Sequence, residues 1–533
     1  MFNLRLLKLH LGNEFFPYGL CKYHSGECRL SLPDGLEPFV SDELKYFQWD
    51  TYPLKYLPYF NPENLVQLIM RESQLELLWN EDQPLELVKL EKIDLSFSEH
   101  LMQIPNLSRA INLQVLSLKG CSSLVQLPSF FQNLGKLQIL NLQYCYNLKD
   151  GLENLPINDL NLRECSSLEE LPPLPHGLGK LNIGKCERLK SLPELPSSLY
   201  DLCAVECSSL EELPPFPGFL DLDIGKCERL KSLPELPSPL LRLYVEECSS
   251  IEELPPLPHR LGELDIGKCE RLKSIAELPS SLKVLKANDC TLLETISSGG
   301  YATPQKIYHA RPFFSFENCI KLDDNTLNKV IADHVHHRIS SAVDDALYMY
   351  PGDEIPEWFS YQTGSQDSIN IHLPPNWFKL ELRFAICFVY GYYNQLIDVE
   401  YEVNFKGKTS NGDDLLYKHG CAFIELDGSI IDSDHVSIVT QPHRHGGFFW
   451  PISDDELLEV FGPNWSSICR NITEASFRVF HEDQNGVIMN IKKFGIHPLN
   501  NGLEEPNVDG DSRYQHNHDS HPHNISKRIK LKR

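Results

Sequence analysis

The stretch IGKCERLKSLPELPS occupies residues 183–197, returns letter for letter at 224–238, and returns again at 266–280 as IGKCERLKSIAELPS. A second phrase, CSSLEELPP, is interleaved with it at Cys165 and Cys207 and, as CSSIEELPP, at Cys248. Aligned on their cysteines, the two phrases share a period of 20 or 21 residues and one frame, L-x-x-L-x-L-x-x-C-x-x-L, as in Leu178, Leu181, Ile183, Cys186 and Leu189. Cys121, Cys145, Cys165, Cys207, Cys227, Cys248, Cys269 and Cys290 occupy the same slot.

This frame is the leucine-rich-repeat template, whose units cannot close a core alone and must stack. Upstream it continues with other residues in the cysteine slot: Ser98 after Leu90, Ile93 and Leu95; Ser73 after Leu65, Leu68 and Met70; Tyr52 after Leu44, Phe47 and Trp49. Leu4, Leu7 and Leu9 open the series, and thirteen frames run from residue 4 to residue 293. The alternation L-x-L predicts short parallel strands with leucines inward and the x residues on a concave face. Prolines every three residues in LPELPSSL and LPPLPHGL cannot continue a helix and predict extended returns on the convex side. The expected fold class over residues 1–296 is therefore an α/β-type leucine-rich-repeat solenoid with short parallel strands and an irregular convex side.

Small, weakly hydrogen-bonding Cys suits the bend where the chain leaves a strand and turns into the core. Nine of the sixteen cysteines read as packing units of this kind. Stacked thiols would lie about 5 Å apart, the strand spacing, which overlaps disulfide geometry, so compartment decides their state. MFNLRLLKLH is already a repeat rather than a secretory leader, and no apolar run approaches the ~18 residues of a membrane span. A reducing cytoplasm or nucleus is expected. Cys21, His24 and Cys28 lack the second pair that a zinc finger needs, so no metal and no cofactor is expected.

One residue before the cysteine the sequence runs Glu164, Lys185, Glu206, Lys226, Glu247, Lys268, and four after it Glu169, Lys190, Glu211, Lys231, Glu252, Lys273. Stacking would turn both columns into exposed ion-pair ladders that space the repeats. The concave positions are more varied. There Ile69, Arg71, Lys119, Asn141, Tyr144, Arg163, Tyr200 and Tyr244 are candidate protein-binding residues, most of them aromatic, apolar or arginine; plain solvated surface is the alternative.

The repeats end near Ser297-Ser298-Gly299-Gly300, and residues 297–344 read as linker plus a short helix over 325–339 with Leu327, Val330, Ile331 and Val335 on one face. Seven alternating segments follow, at 368–373, 382–392, 398–405, 421–426, 435–440, 475–480 and 487–496. Separated by Gly, Asn, Asp and Pro, they predict an all-β jelly-roll or Ig-like sandwich over 345–500. Residues 501–533 have the polar, His- and Asn-rich composition of disordered chain. Their end, Lys527, Arg528, Lys530, Lys532 and Arg533, is a nuclear-import cluster or a solubilising terminus.

Net charge −25 and a pI near 5.2 argue against nucleic acid or an anionic membrane as partner. No HExxH, GxSxG or GxGxxG occurs. Gly407-Lys408-Thr409 matches the end of a phosphate loop, but Glu402 stands where that loop's first glycine belongs. His435, His443 and His445 with Asp434 and Cys421 have no spacing that marks a hydrolytic site, and loop histidines are the default.

ELKYFQWDTYPLKYLPYFNPENLVQLIMRESQLELLW at 43–79 and LEKIDLSFSEHLMQIPNLSRAINLQVLSLKGCSSLVQLP at 90–128 resemble the repeats of plant TIR-type nucleotide-binding leucine-rich-repeat immune receptors, including their W-D-x-Y-P-L-K-x-L-P and P-E-N-L-V stretches. FENCIKL at 316–322 and YPGDEIPEWFSYQTGSQDSINIHLPPNW at 350–377 resemble the jelly-roll/Ig-like module that follows the repeats in those receptors. The resemblance implies that repeats and sandwich together bind a pathogen effector protein, which releases a nucleotide-binding switch domain held in cis or in trans. A TIR domain then cleaves NAD. Because MFNLRLLKLH resembles an internal repeat, neither the TIR domain nor the switch is expected here, and no enzyme activity is carried over.

By the same resemblance the sandwich loops 406–418 and 441–450 are candidate effector contacts, with Lys408, Arg444, Phe448, Phe449 and Trp450; the alternative places the three aromatics in the sandwich core. Asp353, Glu354, Trp358 and Phe359 are expected to hold the sandwich to the end of the solenoid. The expected function is effector recognition and autoinhibition in a plant intracellular immune receptor. Two other readings stay open: a stand-alone truncated receptor acting as decoy or regulator, and a jelly-roll carbohydrate binder or hydrolase carried on repeats.

Overall fold

The computed structural model describes residues 5–9, 43–57, 60–79, 86–298, 312–339, 346–364, 368–379, 384–391, 397–408, 412, 414–426, 433–440, 457–458, 461–480 and 491–499. Short strands recur once per turn and pair in parallel and in register. Leu68 faces Ile93, and the same column runs through Leu116, Leu140, Leu160, Leu181, Leu202, Leu222, Leu243, Leu264 and Leu285. Each of these middle residues is buried, whereas its strand neighbours, such as Asp159 and Asn161, are partly open. The alternation therefore divides core from concave face as the pattern predicts. The solenoid is a leucine-rich-repeat fold.

The bend after each strand has a feature that few residue types announce. One position before the cysteine slot the backbone is left-handed at Thr51, Glu72, Phe97, Tyr144, Glu164, Lys185, Glu206, Lys226, Glu247, Lys268, Asp289 and Asn318, and at Gly120. A non-glycine residue there costs about 1–2 kcal/mol, and neighbouring turns offset it. The amide of Glu164 donates to the Gly184 carbonyl at 2.7 Å and that of Lys185 to the Val205 carbonyl at 2.7 Å.

The cysteines then turn inward, fully buried and unpaired. Their thiols are also donors. Cys145 Sγ lies 3.2 Å from the Leu118 carbonyl of the preceding turn, and Cys186 Sγ lies 3.2 Å from that of Leu162. Each of these carbonyls also accepts the cysteine amide of its own turn, Cys121 at 3.0 Å and Cys165 at 3.0 Å, so one oxygen ties two turns together. Ser98 Oγ does the same with the Met70 carbonyl at 3.2 Å. Burial pushes the Cys145 and Cys186 thiols up to about 12, which keeps them protonated and unreactive.

Of the two charge columns, the one before the cysteine forms Glu164–Lys185, Lys185–Glu206 and Lys268–Glu247 pairs at 3.7, 3.6 and 2.9 Å. In the other column arginines two residues after the cysteine take over: Arg188 reaches Glu169, Arg229 reaches Glu211 and Arg271 reaches Glu252, with Lys273 joining Glu252. On the convex side a 3-10 turn, Ser129–Asn133, is the one helical element among the described residues before 298.

The parallel ladder continues beyond residue 296. Phe313–Ser315 pairs with Val284–Lys286, and Phe314, Phe316, Cys319 and Leu322 fill the repeat frame with aromatics in two leucine slots. Ala346–Pro351 pairs in parallel with Phe313–Ser315 and antiparallel with His435–Thr440. From there the sheet passes to Phe384–Tyr390, Ile491–Pro498 and Tyr361–Gly364, so solenoid and sandwich share one 19-stranded sheet. A second sheet runs Ile369–His372, Ile472–Phe480, Ile397–Lys408, Asp414–Leu426.

Between the two sheets lie Leu347, Ile386, Phe388, Phe477 and Phe494, with the Trp377 ring stacked on Phe405 at 5.1 Å. The opposite face of the shared sheet, with Tyr348, Cys387, Val389 and Ile438, belongs to the solenoid core, which also takes in Leu327, Val330, Ile331 and Val335 of the helix Asp324–Ile339. Strands buried on both faces read as continuous apolar runs, as FAICFVY does; HVSIVT is buried at every position as well but keeps His435, Ser437 and Thr440 within it.

Candidate protein-recognition surface

The concave column stacks Ile69, Asp94, Ser117, Asn141, Asn161, Asn182, Cys203, Asp223, Tyr244, Asp265 and Lys286. Several of these hold the turn rather than face a ligand. Asn141 Oδ1 accepts the Gln143 amide at 3.0 Å, Asn161 that of Arg163 at 3.0 Å, and Asn182 that of Gly184 at 3.0 Å, the side-chain turn at which Asn excels. Ile69 is only 6% exposed and offers little surface.

Arg71 is neutralised by Asp94, Nε to Oδ2 at 2.8 Å and Nη2 to Oδ2 at 2.7 Å. Burial alone would raise the Asp94 carboxyl, but bonds from Ser96 and Arg71 outweigh it and hold the group below its ordinary range. Arg163 stands 3.9 Å from Glu164. Tyr200 is exposed, its ring 5.7 Å from Lys180 Nζ and lying where a Cβ on Gly179 would be. Tyr244 donates its hydroxyl to Glu263 at 2.7 Å, and burial, then Glu263, pushes that hydroxyl well up.

Lys119 and Tyr144 do come together. Lys119 Nζ sits 5.3 Å from the Tyr144 ring and 5.4 Å from that of Phe97, and Tyr146 stands 6.2 Å from Tyr144. Phe97 and Tyr146 were not foreseen from the sequence, although Phe97 occupies the same slot as Tyr144.

On the sandwich, Lys408 is exposed at the end of its strand. Gly407 beside it packs so close to Asn471 that a Cβ would lie 2.1 Å from its carbonyl, a strand contact rather than a phosphate cradle. Arg444, Phe448, Phe449 and Trp450, with His443 and His445, lie outside the described residues, as do Lys527 to Arg533 and Cys21 to Cys28.

His435 is a fully buried joint. Its Nδ1 faces the Ser433 carbonyl at 2.9 Å, and its Nε2 accepts the Asn318 amide at 3.0 Å, tying the last repeat to the sandwich. Asp434 pairs with Lys492. In the PGDEIPEWF stretch, Ile355 and Phe359 enter the core that continues from the solenoid, whereas Asp353 and Glu354 are exposed and Glu354 pairs with Lys493. The aromatic half of that motif packs the joint; the acidic half does not.

The C-JID domain family model matches residues 350–499. Disease resistance protein RPP2A of Arabidopsis thaliana is 36% identical over 223 residues, covering 37% of this chain and 16% of that protein. RML1B and RRS1, disease resistance proteins of the same plant, are 41% identical over 147 residues and 34% over 220, covering 27% and 38% of this chain and 13% and 15% of those proteins. In its repeats and C-JID domain this chain is similar to plant TIR-NB-LRR-type resistance proteins.

The matched part of this chain spans less than a fifth of each relative's length. A leucine-rich-repeat protein from Bacteroides ovatus superposes with a TM-score of 0.24 at 16% identity, covering 51% of this chain and 87% of that one. Among the described residues no group of His, Cys, Asp and Glu is arranged to hold a metal, and no helix is long and apolar enough to cross a membrane.

Proposed function

We propose that this resistance-protein chain recognises a pathogen effector protein through the concave face of its repeats together with loops of the C-JID domain. In the resting state the same chain restrains a nucleotide-binding switch domain, supplied in cis or in trans. The observation that carries this reading is the partly exposed group of Phe97, Tyr144 and Tyr146 around Lys119 on the solenoid, aromatic rings being the residue types that anchor protein interfaces. Recognition is the work of this region, and catalysis belongs elsewhere. The site of action is the cytoplasm, with Lys527, Arg528, Lys530, Lys532 and Arg533 directing part of the protein to the nucleus.

The test is pairwise binding of the full chain to a panel of purified plant-pathogen effectors by interferometry, with a glycan array in parallel. At least one effector should bind in the micromolar range or tighter while the glycan array stays blank. Specific glycan binding with no effector binding would move the chain to the carbohydrate-binding alternative.

A further inference from the structure

The slot before the cysteine is filled in other turns by Thr, Glu, Lys, Asp, Asn or Gly. Phe97 and Tyr144 place rings there, on left-handed backbone, where a bulky residue is an outlier. Burial gives only part of a return for this, since Phe97 is 38% exposed and Tyr144 is half-buried. Gly120, in the turn between, makes the arrangement possible: a Cβ there would stand 2.6 Å from the Phe97 ring, so its absence lets that ring lie across toward Tyr144, 6.5 Å away.

Lys119 completes the group, its ammonium shared between the two rings. The contrast with Arg71, two turns earlier in the same column, is informative. Arg71 is neutralised by Asp94, whereas Lys119 has no carboxylate within ion-pair distance among the described residues. Its charge is held in place by the rings and left available. A polyanion is disfavoured here, because Glu99 and Glu164 act on Tyr146 alongside and the chain carries a net charge of −25.

We infer that Phe97, Lys119, Tyr144 and Tyr146 form a docking patch for an extended protein segment that presents a carboxylate and, two residues away, an apolar or aromatic side chain. The carboxylate meets Lys119 and the apolar group lies against the rings. Residues two apart on an extended strand point the same way, roughly 6.6–7 Å apart, a span of the same order as the 5.3 and 5.4 Å between the Lys119 ammonium and the two rings. This inference rests on the proposal that the repeats recognise protein, and it names the chemistry of the partner.

The experiment selects phage-displayed random dodecamers on the full chain, then measures the enriched peptides, resynthesised, by fluorescence polarisation. Enriched sequences should pair Asp or Glu with Leu, Phe, Trp or Tyr at a spacing of two. Lys119→Glu and Phe97→Ser should each weaken them tenfold or more, and Lys226→Glu, in the verbatim repeats, should not. Changing the peptide's acid to Lys should restore binding to Lys119→Glu, a gain that misfolding cannot mimic. Peptides that bind equally well to Lys119→Glu and Phe97→Ser, or no enrichment over the Phe97→Ser chain, would overturn the patch. An effector that binds while ignoring both variants would remove the patch and leave effector recognition standing.

Discussion

The turns around Tyr52 to Cys145 and those from Cys165 to Cys290 share one geometry and differ in almost everything that faces outward. In the later block, near-verbatim repeats put Glu and Lys alternately in the left-handed slot from Glu164 to Lys268, with Asp289 closing the series. In the earlier block the same slot holds Thr, Glu, Phe, Gly and Tyr, and the cysteine position holds Tyr, Ser, Ser, Cys and Cys. The inward residues barely change, because stacking fixes their environment on both sides. Freedom lies outside the core, and only the earlier block uses the left-handed slot for rings. The sharpest test of the shared frame is its middle column. Leu140→Ala and Leu222→Ala, one from each block and both fully buried, should each cost about 2–5 kcal/mol. Chemical denaturation followed by hydrogen exchange would read both; a loss confined to one block would mean that the two are not equivalent stacks.

The cysteine slot offers a finer contrast. Ser98 Oγ donates to the Met70 carbonyl and also accepts the Ser73 amide at 3.3 Å. Cys186 Sγ donates to the Leu162 carbonyl, which keeps the Cys165 amide as a second partner. Ser98→Ala strands a buried amide and should cost about 1–3 kcal/mol, whereas Cys186→Ala should cost about 1 kcal/mol. Native-state alkylation should leave Cys186, Cys227 and Cys269 untouched, with Cys203, the partly exposed thiol among the described cysteines, reacting first. Fast labelling of Cys186 would mean that the turns open far more readily than a packed stack allows.

The sequence announces the inward frame because it repeats and the outward features poorly because they do not. L-x-L and the cysteine specify strand, bend and core from Tyr52 to Leu293. The turn Phe314, Phe316, Cys319, Leu322 satisfies the same frame, yet aromatics in leucine slots hide it, and the solenoid reads as ending too early. The left-handed slot is equally hard to see, since Glu and Lys carry no turn signal; Gly120, Asp289 and Asn318 do. In the sandwich the expected class holds, and FAICFVY stands out as an apolar run. Tyr361–Gly364 is short and polar, and Ala346–Pro351 takes its place by pairing with both domains, a long-range fact no local pattern contains. Of the aromatic patch, Tyr144 and Lys119 are legible as residue types; the cation's place between two rings depends on residues of three successive turns, Phe97, Lys119 and Tyr144.

The joint between solenoid and sandwich responds to pH in a way the solenoid core should not. Burial holds His435 below its ordinary value of 6.5, outweighing the Ser433 bond and the Asp434 charge that favour the proton. A proton on Nε2 would also replace the acceptor that receives the Asn318 amide. The unfolded chain binds this proton more readily than the folded one, so the stabilisation is complete above pH 6.5 and is lost as pH falls from there through the folded-state value. His435→Gln keeps an acceptor without titrating, and its melting temperature should fall less than the parent's between pH 7 and pH 5.5. Equal slopes for the two proteins would assign the acid sensitivity to other groups.

The smallest effect separates ion pairs that sequence columns imply from those the stack makes. Lys268 and Lys190 look alike in the alternating pattern. Lys268 meets Glu247 at 2.9 Å and draws that carboxyl down through their hydrogen bond, whereas the partner of Glu169, one turn before Lys190, is Arg188. Lys268→Glu should therefore cost no more than about 0.5–1 kcal/mol, less at high salt, because the pair is largely solvent-exposed. Lys190→Glu should cost less still at any salt. Thermal melts at 50 and 500 mM NaCl distinguish the two, and a Lys190 effect as large as that of Lys268 would restore the simple alternating ladder along both columns.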